Sequence, residues 1–198
     1  MNKTYQSYML LFLVFLSAFF FDQMTKEDMQ TSMIVWQDPA NTDLYRGART
    51  DIYSIGSPDR VSPEKNPFFI NLAWQYSRNK GAAFSMFSEL HDNFRVPFFF
   101  LINLVAASVI AFYLYVSSVN QSMFRYGLVM ILAGAMGNFV DRLRHGYVID
   151  FIAVEWDILG WRHDFAIFNV ADVCINIGVA CLLVDALFLQ KAPETKKA

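Results

Sequence analysis

The sequence is poor in charged residues. Asp, Glu, Lys and Arg make up 17% of its 198 residues, whereas a soluble domain carries about 25%. Hydrophobic residues reach 55%, and phenylalanine alone occurs 20 times. This composition is typical of a membrane protein. The net charge of −2 gives no reason to expect nucleic acid as a partner, since binding to the phosphate backbone depends on basic side chains.

Cysteine is scarce, and common catalytic signatures are absent. Cys174 and Cys181 are seven residues apart in an apolar run, so a helix would separate them by about 10 Å along its axis. Because disulfide Cα atoms lie within about 7 Å of each other, we predict two unpaired thiols. The sequence has no Gly-x-Ser-x-Gly, no Ser/Lys pair suggestive of a hydrolase and no phosphate-binding glycine loop. His145, His163 and Asp164 lack the spacing of metal ligands, so we expect no metal or other cofactor.

What the sequence does contain is four long apolar runs. Each has about the 20 residues that a helix needs to cross about 30 Å of hydrocarbon. We therefore predict an all-α membrane protein with four transmembrane helices, forming one membrane-embedded domain over residues 1–198. No small-x-small cleavage site closes the first run, so we expect an uncleaved span and not a signal peptide. Gly134 and Gly137 predict close contact of the third helix with a neighbour. The predicted helices cover about residues 5–24, 97–116, 124–143 and 166–189.

Two excursions connect these helices on the side away from both termini. The first covers about residues 25–96, and we interpret its proline-rich middle, Asp38–Pro67, as loop. Apolar and polar residues alternate through Ile70–Tyr76, and a period of two predicts a half-buried strand. We expect this strand to pair with Met33–Trp36 in a small sheet at the membrane surface. The second excursion covers about residues 144–165.

Four alternating spans bring polar residues together at one membrane face. Ionisable groups within a membrane are costly to bury and are commonly functional. On the third run Asn138, Asp141 and Arg142 are spaced i, i+3, i+4 and share a helix face. Asn169 and Asp172 repeat the i, i+3 spacing on the fourth run. A structural interpretation fits the same pattern: Asp141 and Arg142 neutralise each other or the neighbouring backbone, and the asparagines hold helices together.

Asp150 and Asp172 are harder to explain as structural residues. Asp150 interrupts an apolar stretch of the second excursion, and Asp172 begins a helical segment of Val, Cys, Ile and Ala. Two carboxyl groups that meet in apolar surroundings cannot both ionise cheaply, so one keeps a proton. The ionised group can then activate water while the protonated group supplies a proton to the leaving group, as in aspartic proteases. The alternative is that each acid is satisfied separately at the interface.

Four sequence blocks resemble the bacterial lipoprotein signal peptidase (signal peptidase II) family, in the family's order. The resemblance implies an aspartyl endopeptidase that removes the signal peptide from prolipoproteins, cutting before a cysteine that carries diacylglycerol. It also implies a multi-pass protein of the bacterial cytoplasmic (inner) membrane, in contact with membrane lipid. The termini would be cytoplasmic, and the sheet and the active site would lie towards the outer leaflet. The blocks are Asp22–Lys26, Asn79–Phe84, Gly137–Arg142 with Val148–Asp150, and Phe168–Asp172.

The same resemblance implies roles for individual residues. Asp150 and Asp172 become the catalytic pair. By the same resemblance, substrate binding or orientation of this pair is implied for Asn79, Asn138, Arg142 and Asn169. A supporting role is implied for Asp22, Lys26, Gly81 and Asp141. The sequence departs from the family in two respects. Its stretch from Lys26 to Asn79 is longer than usual, and its connector from Asp150 to Asp172 is slightly long.

Two other functions fit the acids when they are considered without the resemblance. A small proton-coupled transporter would use them as a relay. A non-catalytic membrane scaffold would use them to bind a basic segment of a partner. Against the transporter, the polar residues occupy one leaflet only. The scaffold hypothesis does not explain why Asp150 and Asp172 have apolar surroundings.

Overall fold

A computed structural model describes residues 3–41, 44–56, 68–81 and 92–189. Within these residues, four helices are long and apolar enough to cross a membrane, which confirms the predicted helices. They are α1 (Lys3–Met33), α2 (Asp92–Val116), α3 (Ser122–His145) and α4 (Val170–Val184). A π-helical segment, Asp185–Leu189, continues α4.

The first two helices are longer than predicted. α1 continues to Met33 and not to residue 24, because the charged residues that seemed to end it, Asp22 and Lys26, are buried together inside the bundle. α2 starts before Pro97, which lies inside it. Pro97 is the sixth residue of α2, beyond the four N–H groups that lack helical partners, so it removes one hydrogen bond near the start of this helix.

The fourth helix is shorter at its start than predicted. It begins at Val170 and not at residue 166, because Asn169 caps it. The Asn169 side chain accepts from the Asp172 backbone N–H at 3.0 Å, and the Asp172 side chain accepts from the Asn169 N–H at 3.1 Å. These reciprocal bonds form a capping box, which satisfies two backbone donors at the helix start.

The protein is mostly helical but not all-α, which corrects the predicted fold class. A four-stranded antiparallel sheet and a separate two-stranded pair lie where α1 ends and α4 begins. In the larger sheet the strand order is β3-β4-β5-β6, so strands from both excursions contribute. The strands are β1 (Ile34–Gln37), β2 (Tyr45–Gly47), β3 (Arg49–Ile55), β4 (Phe68–Asn79), β5 (Val148–Ile158) and β6 (Trp161–Asp164).

The predicted strand exists, but its predicted partner is wrong. Ile70–Tyr76 lies within β4, which pairs with β3 and β5, whereas Ile34–Gln37 pairs with β2. β4 and β5 are long strands that match along most of their lengths, so they satisfy more backbone hydrogen bonds than the short β1 could offer. The loop interpretation is also wrong for residues 45–55, which contain β2 and all of β3. Residues 42–43 and 57–67 lie outside the described chain.

Close packing joins α3 to α4, as the glycines predicted. A Cβ atom on Gly134 would collide with the backbone carbonyl of Ala171, and one on Gly137 would collide with the carboxylate of Asp22. The two helices that carry the polar motifs are therefore held at close backbone distance. Cys174 and Cys181 lie on α4 as free thiols, in agreement with the prediction.

Candidate active site

The two acids singled out by the sequence, Asp150 and Asp172, meet around Asn169; we call them the acid pair. Asn169 is completely buried. Its Nδ2 donates to Asp150 Oδ1 at 2.6 Å, and its backbone N–H donates to Asp172 Oδ2 at 3.1 Å. β5 approaches α4 because Ile152 and Phe168 exchange backbone hydrogen bonds of 2.8 and 3.1 Å just before the helix starts.

Two further asparagines complete the hydrogen bonding of the acid pair. Asn79, the last residue of β4, donates from Nδ2 to Asp150 Oδ2 at 3.0 Å. Asn138 on α3 donates from Nδ2 to Asp172 Oδ1 at 2.9 Å. Each carboxyl group therefore receives hydrogen bonds from two residues. The structure places all three predicted asparagines around the pair.

Asp22, Lys26 and Asp141 form a buried group behind the pair, which we call the ion cluster. Lys26 Nζ lies 2.8 Å from Asp22 Oδ2 and 3.0 Å from Asp141 Oδ2. Asp22 also accepts from the backbone N–H of Ala171 at 2.7 Å, and Asp141 accepts from the N–H of Ile149 at 3.1 Å. The ion cluster thus ties α1 and α3 to the start of α4 and to β5.

Arg142 points towards the end of β4. Its Nη2 donates to the carbonyl of Gly81 at 2.7 Å, its Nη1 donates to the carbonyl of Asn138 at 3.1 Å, and its guanidinium lies 4.3 Å from the ring centre of Phe99. Asp141 and Arg142 do not neutralise each other, because Asp141 pairs with Lys26. Both side chains nevertheless bind backbone groups, as the structural interpretation allowed. Consecutive residues on a helix point in different directions.

Sequence reasoning missed two residues of the site, Gln23 and Phe99, and gave the wrong environment for a third residue, Asp185. Gln23 joins two acids of the ion cluster by donating to Asp22 and to Asp141, each at 3.1 Å. Its position beside Asp22 was the only available signal. Phe99, under the Arg142 guanidinium, had none. Asp185 lies near the end of the fourth apolar run, a position that predicts a solvated side chain, but it is only 3% exposed.

The surroundings of Asp150 favour its protonated form. Burial, and then the negative charge of Asp172, raise the pKa of Asp150 from the ordinary 3.8 to about 7, while hydrogen bonds from Asn79 and Asn169 oppose the shift. Asp172 is only half-buried and lies in the first turn of α4, where the helix dipole favours negative charge. Unequal environments of this kind separate an acid from a base.

The described residues offer no group of three or more His, Cys, Asp or Glu side chains that could hold a metal ion. His145 stacks on Tyr147 at 5.6 Å, and His163 packs beside Trp156 and Phe165. The polar groups that meet at this site are two carboxyl groups held by amide side chains, an arrangement that can transfer protons.

Known proteins resemble the chain over most of its length. The family described as Signal peptidase (SPase) II matches residues 14–188. A protein of Syntrophus aciditrophicus named Lipoprotein signal peptidase is 44% identical over 123 residues, which is 62% of this chain and 73% of that protein. A protein of the same name from Pasteurella multocida is 34% identical over 121 residues, covering 61% and 70% of the two chains.

Solved structures agree with this relationship. A bacterial membrane enzyme whose structure was determined by the in meso method is 27% identical, with a TM-score of 0.65 over 96% of this chain and 93% of that one. A second structure described in the same way is 26% identical, with a TM-score of 0.59. The matched region contains every residue of the acid pair, the ion cluster and the three asparagines. The chain belongs to the signal peptidase II family.

Proposed function

We propose that this protein is a membrane aspartyl endopeptidase that removes the signal peptide from diacylglyceryl-modified prolipoproteins, cutting before the lipid-bearing cysteine. Family membership supports the substrate class, since the relatives are named lipoprotein signal peptidases. The observation that carries the aspartyl mechanism is that Asn169 contacts both Asp150 and Asp172. No observation favours the transporter or the scaffold.

The two acids take different roles. Asp172 is the base, because its carboxylate accepts from Asn138 and Asn169 at the start of a helix. It takes a proton from water as the water oxygen attacks the scissile carbonyl carbon. Asp150 is the acid, because burial and then the charge of Asp172 raise its pKa to about 7 and so favour its protonated form, and it donates to the carbonyl oxygen. Asp172 then donates the proton it took from water to the amide nitrogen as the C–N bond breaks, and Asp150 recovers a proton from the gem-diol hydroxyl as the new carbonyl forms.

The remaining predicted residues hold the pair in position. Asn79 accepts from the Gly81 N–H at 3.0 Å while it donates to Asp150, and Arg142 holds the Gly81 carbonyl. This chain of contacts fixes the end of β4 beside the acid. Catalysis then depends on orientation, which can supply a large part of a rate enhancement.

The four apolar helices, together with membership of the signal peptidase II family, imply a multi-pass protein of the bacterial inner membrane. We further propose cytoplasmic termini, an extracytoplasmic sheet and an active site towards the outer leaflet, within a single domain of residues 1–198. The diacylglyceryl chains of the substrate would then lie in the surrounding lipid and present the scissile bond at the depth of the acid pair. Membrane lipid is thus part of the binding environment.

Substitution of each acid tests the proposal. Asp150→Asn and Asp172→Asn should each lower turnover by about 10²–10⁴-fold or more, because an amide can neither activate water nor donate a carboxyl proton. The measurement is cleavage of a diacylglyceryl-modified prolipoprotein by each purified variant. Asp157→Asn, on the same strand as Asp150, is the matched control and should remain active. Substantial activity in one variant removes that residue from the pair, and activity in both ends the aspartyl mechanism.

A further inference from the structure

Lys26 is a fully buried cation whose donors all point into the bundle. The residue is 1% exposed. Besides its two carboxylate partners at 2.8 and 3.0 Å, its Nζ donates to Asn138 Oδ1 at 2.8 Å. An ammonium group has three donors and no acceptor. Its three contacts therefore use its full hydrogen-bonding capacity, and one of them is to a neutral amide that touches the acid pair.

The contact with Lys26 determines which way the Asn138 amide faces. Because Lys26 can only donate, the carbonyl oxygen of Asn138 must face it, and the NH₂ group must face the other way. That NH₂ group donates to Asp172 at 2.9 Å. A reversed amide would set donor against donor at Lys26 and acceptor against acceptor at Asp172, and a buried unmatched polar pair is costly.

Asn169 continues this chain towards the other acid. Its Nδ2 donates to Asn138 Oδ1 at 3.2 Å as well as to Asp150. Its Oδ1 accepts from the Asp172 backbone N–H, so this amide is also oriented from both ends. The donors of the two amides are therefore directed at the acids by a cation at one end and by a backbone group at the other.

We propose that Lys26 is a positioning residue for the acid pair, acting through Asn138, in addition to any role in joining the helices. It keeps the Asn138 NH₂ group on Asp172 and so holds that carboxylate in the orientation in which it activates water. The inference rests on the proposed function, since it assigns Lys26 an effect on catalysis.

A purely structural role for Lys26 leads to a different expectation. In that case Lys26 only neutralises Asp22 and Asp141, and a variant that restores charge balance should recover both stability and turnover. Lys26→Met combined with Asp22→Asn is such a variant. Asparagine retains a carbonyl oxygen that can accept from Ala171, as Asp22 does.

The first measurement compares turnover, KM and melting temperature of the full-length protein in lipid. We expect Lys26→Met to be destabilised, because two buried carboxylates lose their cation. Adding Asp22→Asn should recover the melting temperature.

Relative to Asp22→Asn alone, the double variant should still lose turnover, on the order of 10²-fold, with little change in KM. Arg144→Met, at an exposed cation near the end of α3, is the control and should match the wild type. Recovery of turnover with stability in the double variant would overturn the proposal.

A double-mutant cycle tests whether the effect passes through Asn138. Lys26→Met and Asn138→Ala are combined in the Asp22→Asn background, where folding is retained. If Lys26 acts through Asn138, the combined variant should be no slower than Asn138→Ala, whereas independent effects would multiply. Multiplying losses would reject the positioning role. Asp150→Asn and Asp172→Asn, assayed in parallel, separate the two proposals. If these two variants are inactive while the losses of turnover from Lys26→Met and Asn138→Ala multiply, the proposed function stands and the positioning role of Lys26 is rejected.

Discussion

At the scale of single residues, Asn169 determines how the site is assembled. It caps α4. Its side-chain oxygen accepts a hydrogen bond from the Asp172 backbone N–H, and its side-chain NH₂ group donates to the Asp150 carboxyl group. The i, i+3 spacing of Asn169 and Asp172 could be recognised in the sequence, because a capping box is local. Its bond to Asp150, 19 positions away, could not, because that bond depends on the sheet bringing β5 to the helix start.

The raised pKa of Asp150 leads to a prediction about stability. Since the folded-state pKa is about 7 and the ordinary value is 3.8, the folded chain keeps a proton that the unfolded chain releases between these pH values. The free energy of unfolding should therefore fall as pH rises from about 4 to 7 and then level off. Asp150→Asn should remove this fall, so that above pH 7 the variant melts several degrees higher than the wild type; about 1 kcal/mol corresponds to about 2–4 °C in a chain of this size.

Melting temperatures at a series of pH values, for the wild type and the variant, provide the measurement. Asp157→Asn on the same strand is the control, and its profile should follow the wild type. An Asp150→Asn profile that falls across the same interval as the wild type would show that another group causes the dependence.

At the scale of elements, the distance between α3 and α4 determines where Asp172 lies. Gly134→Ala would place a methyl group against the Ala171 carbonyl, one residue before Asp172. Backbone cannot move aside as a flexible side chain can, so we expect a loss of about 1–3 kcal/mol in stability together with reduced turnover. Cleavage rates and melting temperatures check this. Leu143→Ala, at an exposed position of the same helix, should change neither, and a fully active, stable Gly134→Ala would contradict the packing argument.

The long first excursion should influence access to the site more than chemistry. β3 pairs with β4 only as far as Gln75, short of Asn79 at the site. β3 contacts β5 through the ion pair between Arg49 and Glu155. Glu155 lies about 17 Å along β5 from Asp150. Replacing residues 49–66 with about 12 Gly/Ser residues, enough to span the gap, should change KM while turnover stays within several-fold. Loss of turnover in a correctly inserted variant would assign the excursion an essential role.

At the scale of the whole molecule, four crossings place the sheet opposite the turn between α2 and α3. Thr50 on β3 and Asn120 in that turn are both exposed. In a background in which Cys174 and Cys181 are replaced by Ala, Thr50→Cys and Asn120→Cys should be labelled from opposite faces of the membrane by an impermeant thiol reagent. Intact cells and inverted vesicles provide the two faces. Labelling of both positions from one face would contradict the four-span topology.

The sequence by itself determined the features that depend on neighbouring residues. Run length and hydropathy predicted four spans, because the bilayer imposes a minimum number of apolar residues. Alternation in Ile70–Tyr76 predicted a strand. The apolar surroundings of Asp150 and Asp172 singled out the acid pair, and the resemblance then implied its catalytic role. Only the tertiary structure decided the partners: β5 beside β4, Lys26 on Asn138, and Asp150 on Asn169. Lys26 and Asn138 are 112 positions apart. Their meeting depends on how the helices pack, and no local pattern in the chain records it.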